Sequence, residues 1–360
     1  MVDTSVVSPL STDHTGSKNP SSRLVFIDLL NIAACFGVVA LHCSDAVFRF
    51  EISRPWLFSM LVQAVFHWPV PIFFMIMGVT LLNYREKYTT AIYFKRRFLR
   101  TVIPFFIWSA LTLAYRVYRG KVTITGPRQF VNLFLNNEIN GIFWFFFAMF
   151  AVYLAMPYLS LLAKEKYKRI IGYFLLLYFI TQAIFPIMRY FGVKISGDLH
   201  IPGTIGYTPY VFLGWMLFHT PLSRKMRLLI YGAGVLGAAL MFFGTIWLNL
   251  RDGGEPLNRL LMSYNGICTV PLSIAVFVAF QQIKWQPGTF WKKVIQLLSG
   301  ASFGVYLTQM FVIWELTGTY HINNHSCRYI VLASLGVYAL CALFVILMKK
   351  IPVVGKILFP

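Results

Sequence analysis

The chain has 360 residues, of which 58% are hydrophobic and only 12% charged. Soluble domains carry about 25% charged residues, so this composition excludes a soluble globular protein and implies an all-α integral membrane protein. The net charge of +20 does not point to nucleic acid, because Lys and Arg stand in short clusters between apolar runs, where topology signals stand.

Residues 1–22 are rich in Ser, Thr, Pro and Asp and lack an apolar core. They are expected as a disordered cytoplasmic tail rather than a cleaved signal peptide, with the first span kept as a signal anchor. Ten apolar stretches follow that can cross about 30 Å of hydrocarbon. They cover 24–43, 57–82, 99–118, 142–161, 170–189, 204–219, 228–249, 261–282, 297–316 and 329–348, the sixth being short. Together they make one transmembrane domain over 23–350, and 351–360 reads as a short cytoplasmic tail. With the N-terminus inside, 21 of the 32 basic residues fall in cytoplasmic segments. That bias places both termini in the cytoplasm and requires an even number of spans. The five cysteines show no zinc-like or redox spacing, and no metal set is expected.

Polar and titratable groups inside spans mark candidate sites. His42 stands near the end of the first span, eleven residues after Asn31, or about 16 Å along a helix. The two therefore lie toward opposite membrane faces. A neutral imidazole can take a proton from a hydroxyl that attacks an acyl carbon, and Asp45, three residues on, can orient the ring. The alternative for His42 is a histidine satisfied by a neighbouring helix. Arg97 and Arg100 share a helix face at the start of the third span and can hold phosphates bidentately, or simply anchor the helix. Val70-Pro71 through Gly78 contains a mid-span proline, read as a kink, with His67 one turn before it. Trp144-Phe145-Phe146-Phe147 with Tyr153 can shape a sugar platform or anchor the interface, and Glu138 and Asn140 upstream can bind hydroxyls. Ser302-Phe303-Gly304 in the ninth span permits close helix packing.

In their order and spacing, Ile27-Asp28 through His42, Val70-Pro71 through Gly78, Arg97-x-x-Arg100, Trp144-Phe145-Phe146 with Tyr153 and Pro157, and Ser302 through Leu307 resemble the acyltransferase-3 family of membrane O-acyltransferases. The enterobacterial-common-antigen O-acetyltransferase branch is the most similar. The resemblance covers about residues 23–350 and implies transfer of an acyl group from cytoplasmic acyl-CoA to a hydroxyl of an extracytoplasmic glycan. His42 matches the family's essential histidine. Asn31 stands where the family has Arg, Met77 where Ser is common and Gln309 where His is common.

The resulting expectation is a multi-pass enzyme of the inner (plasma) membrane that O-acetylates a cell-surface polysaccharide or its lipid-linked precursor. Acetyl-CoA or another acyl-CoA is the co-substrate, with no bound cofactor, and the partners are the glycan acceptor and membrane lipids. His42 and Asp45 are the candidate catalytic residues, Arg97, Arg100 and Asn31 the acyl-CoA contacts, and Trp144, Tyr153, Glu138 and His67 the acceptor or cavity residues. The competing expectation is a non-enzymatic polysaccharide or lipid exporter on the same helical body.

Overall fold

The computed structural model describes residues 24–199, 201 and 206–360; the tail expected over 1–22 lies outside them. Among the described residues the regular elements are all helical. In chain order α1 is Val25–Cys43, α2 Arg54–Val65, α3 Pro69–Leu81 and α4 Thr90–Arg97. Then come α5 Ile103–Tyr118, α6 Pro127–Leu135, α7 Trp144–Leu162, α8 Lys168–Phe179 and α9 Phe185–Tyr190. The remainder are α10 Thr208–Phe218, α11 Arg224–Ala239, α12 Thr245–Asp252, α13 Thr269–Gln281, α14 Thr289–Trp314, α15 Cys327–Met348 and α16 Pro352–Leu358.

Eight helical stretches among the described residues are long and apolar enough to cross a membrane. Each of the ten expected spans coincides with an apolar helix, but the sixth and eighth fall on α10 and α13, which are shorter. The second expected span is also not one kinked helix. Its chain leaves helical form between Val65 and Pro69, and α3 begins afresh with Pro69 at its first position and Pro71 within its first turn. A proline there forfeits no intrahelical hydrogen bond.

The central helix is α1, which packs against α3, α13, α14 and α15. Beside it α3 and α10 meet backbone to backbone. A Cβ on Gly78 would lie 2.0 Å from the Val211 carbonyl oxygen, and one on Gly214 would lie 2.2 Å from that of Met75. Glycine here is therefore a condition of the contact. On α14 the absence of a side chain at Gly304 admits Val345 of α15 and Phe359, the close packing that Ser302-Phe303-Gly304 suggests.

The last ten residues form more than a tail. Phe359 is buried in the core, and the Trp108 indole donates to the Leu358 carbonyl at 3.2 Å. Pro360 lines the same chamber as Asn31, so the start of α1 and the residues after α16 lie at one end of the bundle.

Candidate active site

The amide of Asn31 is fixed by α14. Its Nδ2 donates to the Ser299 carbonyl at 3.0 Å and to Ser299 Oγ at 3.1 Å. Ser299 Oγ in turn donates to Asp28 Oδ1 at 2.7 Å, one turn back on α1. These polar groups stay in an apolar interior because each finds a partner. Asn31, Met77, Phe146, Ser299 and Gly300 line a chamber of about 340 Å³. Beside the chamber, near the middle of α14, Lys349 Nζ donates to the Gly300 carbonyl at 3.1 Å, and desolvation pushes that ammonium pKa below its ordinary value.

His42 occupies the last turn of α1. It lines a second, smaller cavity of about 30 Å³ with Val38, Leu41, Val70, Trp144 and Tyr264. Phe73, Phe145 and Tyr306 belong to the walls of both spaces. The two cavities are thus neighbours, one at the Asn31 end of α1 and one at the His42 end. Tyr306 stands between them with its hydroxyl donating to the Ile142 carbonyl.

The polar group that reaches the His42 ring is Gln309 of α14. His42 Nδ1 and Gln309 Oε1 are both buried and neither has a hydrogen-bond partner in this structure, so a small side-chain adjustment would let the amide oxygen accept an Nδ1 proton. That arrangement would leave Nε2 as the basic nitrogen. Asp45 is not brought to the ring. Helix α1 ends at Cys43 and residues 45–48 turn in 3₁₀ form, which breaks the three-residue register. The Asp45 carboxylate instead accepts from Asn324 Nδ2 at 3.2 Å. Its pKa is raised by desolvation, against the opposing pull of Asn324 and His325.

His67 is buried behind the cavity wall. Its Nε2 lies 2.6 Å from the Met262 carbonyl, and its ring stacks on Tyr264 at 4.6 Å. Tyr264 stacks on Trp144 at 5.6 Å. The series supports the wall and sets His67 as a brace rather than an acceptor contact. Trp144 does line the His42 cavity. Tyr153 lines neither cavity and belongs to the setting of Arg97. Pro157 has no N–H to return to the Tyr153 carbonyl, and that oxygen accepts from the Tyr93 hydroxyl at 3.3 Å. The Arg97 guanidinium lies 5.6 Å from the Tyr153 ring centroid, a cation–π distance, and its buried Nε is unpartnered.

Arg100 does not join Arg97. Residues 98–102 form a π turn, which widens the helix and turns Arg100 out to an exposed position. Glu138 is exposed and lines a separate groove at the His42 end of the bundle. Sequence reasoning missed Tyr264 and Ser299, and held Tyr306 only as part of the Ser302 through Leu307 motif, with no role at a site. Gln309 stood out only as a departure from a pattern, whereas Tyr264 lies in a short irregular segment with no signal of its own. Among the described residues no three His, Cys, Asp or Glu side chains cluster as a metal set would.

Comparison with curated proteins gave no significant match, and neither did comparison with solved structures. The family model of the acyltransferase domain matches residues 24–348, nearly the whole described chain. With its apolar helical bundle, this protein belongs to the acyltransferase-3 family of membrane acyltransferases.

Proposed function

We propose that the chain is an O-acetyltransferase of the plasma membrane, similar to the enterobacterial-common-antigen branch of its family. It moves the acyl group of cytoplasmic acetyl-CoA to a hydroxyl of an extracytoplasmic polysaccharide or its lipid-linked precursor. The observation that carries this reading is the pair of adjoining cavities along α1 with common walls at Phe73, Phe145 and Tyr306. The chamber at Asn31 suits the thioester arm of the donor, with Arg97 near its rim for the phosphates. Met149 lines the chamber, and Tyr153, under Arg97, stands one helical turn further along α7.

The chemistry follows from His42. Its Nε2 takes the proton of the acceptor hydroxyl while that oxygen attacks the thioester carbon. The new C–O bond forms, the C–S bond breaks, and the proton passes from the imidazolium to the departing sulfur. Gln309 holds the ring tautomer and Trp144 limits water at the cavity. Asn31 keeps a hydrogen-bonding contact on the donor path without the charge of the family's Arg. Membranes containing the protein, incubated with radiolabelled acetyl-CoA and purified surface glycan, should transfer label to the glycan in an alkali-labile ester. Glycan passing through vesicles without label would instead favour the exporter.

A further inference from the structure

A groove of about 800 Å³ opens at the His42 end of the bundle, between α5, the loop before α7 and the end of α14. It is separate from the His42 cavity, yet only one turn of chain divides them. Asn140 and Gly141 line the groove, and Ile142 lines the cavity. The loop is pinned in place: Arg116 Nη1 donates to the Ile139 carbonyl at 2.8 Å and also to that of Glu138.

Two amides in this loop have one end fixed and one end open. Asn140 is 2% exposed. Its Oδ1 accepts from the Ile142 N–H at 3.3 Å, and its Nδ2 has no partner. Asn137 is the converse, with Nδ2 donating to the Gly141 carbonyl at 3.1 Å and Oδ1 unpartnered. One turn of the loop that lines the groove thus holds an unpaired donor and an unpaired acceptor, both buried against the groove wall. Leaving such groups buried and unpaired is costly, which points to a ligand that pairs with them. The opposite wall is aromatic: Tyr115 and Trp314 stack with a 10° interplanar angle and both line the groove.

The charged groups are already engaged. Arg119 bridges Glu315 at 3.4 Å, and Glu315 also accepts from Tyr115 and Thr319. Arg116 serves the loop carbonyls. Of the three cations lining the groove, Arg116 and Arg119 already hold protein oxygens and Lys121 is exposed. A ligand with adjacent hydroxyl donors and acceptors and an apolar C–H face fits better than an anion, and that is the chemistry of a sugar ring.

We propose that this groove is a carbohydrate-binding subsite, which holds a neutral sugar of the acceptor beside the unit acylated at His42. The assignment of the acceptor side rests on the transferase reading; the sugar binding itself does not.

The test uses the purified full chain in detergent, probed with an array of neutral oligosaccharides. Hits are then titrated by intrinsic tryptophan fluorescence, alongside Asn140→Asp, Trp314→Ala and Trp314→Phe variants whose melting temperatures are measured. The expected result is saturable binding, weakened about tenfold by Asn140→Asp. Trp314→Ala should weaken it similarly and Trp314→Phe little. In the acetyl transfer assay Asn140→Asp should raise the acceptor KM with kcat nearly unchanged, and His42→Ala should keep sugar binding while losing transfer. Sugar binding without acetyl transfer would sink the transferase reading and leave the subsite. The subsite is overturned by no saturable hit, by hits indifferent to Asn140 and Trp314, or by capture of anionic lipid in nanodiscs alone.

Discussion

At the level of single residues, His42 and His67 show why chemistry near a membrane face needs more than a histidine. Both rings sit in apolar surroundings, and composition alone cannot rank them. The structure separates them by what they touch: His42 lines a cavity, whereas His67 is spent on the Met262 carbonyl and the Tyr264 ring. His42→Ala should therefore reduce acetyl transfer by about 10²–10⁴-fold, the typical contribution of a general base, while membrane insertion and melting temperature hold. His67→Ala should lower the melting temperature and reduce transfer less. Transfer assays and melting curves on both variants check this, and normal transfer by His42→Ala would end the mechanism.

Asp45 supports a second prediction. Desolvation raises its folded pKa, so between the unfolded and folded values the folded state binds more protons, and stability falls as pH rises through that window. Asp45→Asn preserves an acceptor for Asn324 and removes the charge. It should raise the melting temperature at pH 7, with the gain vanishing below the unfolded carboxylate pKa of about 3.9. Transfer should be unaffected, since the carboxylate does not meet His42. A loss of transfer comparable to His42→Ala would reinstate Asp45 as the orienting group.

Individual helices were legible in position more than in internal form. Apolar runs located the eight long apolar stretches and the shorter helices α10 and α13, because hydropathy reports burial from water directly. It does not report whether a run is one helix, so the restart at Pro69 was invisible. Nor does it report helical pitch. Arg97 and Arg100 share a face at 3.6 residues per turn but not through the π turn over 98–102. Such turns recur at functional sites. A single charge-assisted contact is worth about 1.5–3 kcal/mol, so Arg97→Ala should raise the acyl-CoA requirement by roughly 10–100-fold. Arg100→Ala and a Lys292→Ala, Lys293→Ala double variant should change it little. Donor titrations on these variants test the assignment, and equal losses in all of them would reduce Arg97 to an anchor.

The whole molecule answers to the distribution of charge. Basic residues gather in the segments that the charge bias assigns to the cytoplasm, and the described chain ends at Pro360 in the same chamber as Asn31. With those segments in the cytoplasm, Asn136 faces outward. A single cysteine at Asn136, in a background with the native cysteines replaced, should react with an impermeant maleimide from the outside of intact cells. Reaction from the cytoplasmic side alone would invert the topology. What no composition could supply is the juxtaposition of the two cavities, because it arises from residues far apart in sequence, such as Asn31 with Ser299 and His42 with Gln309.

Helix α14 carries Ser299 at the Asn31 chamber, Tyr306 in the common wall, Gln309 beside His42 and Trp314 in the groove next to the loop before α7. These four contacts spread over an arc of about 140° around one continuous helix, and their relative directions depend on an unbroken residue count. Inserting a single alanine between Ser299 and Tyr306 would turn everything beyond it by about 100°. That should remove transfer and sugar binding together. The same insertion in α8, whose stretch is mostly exposed on the outside of the bundle, should leave more of both, so membrane-embedded deletions and insertions in this family should be tolerated in α14 far less often than substitutions.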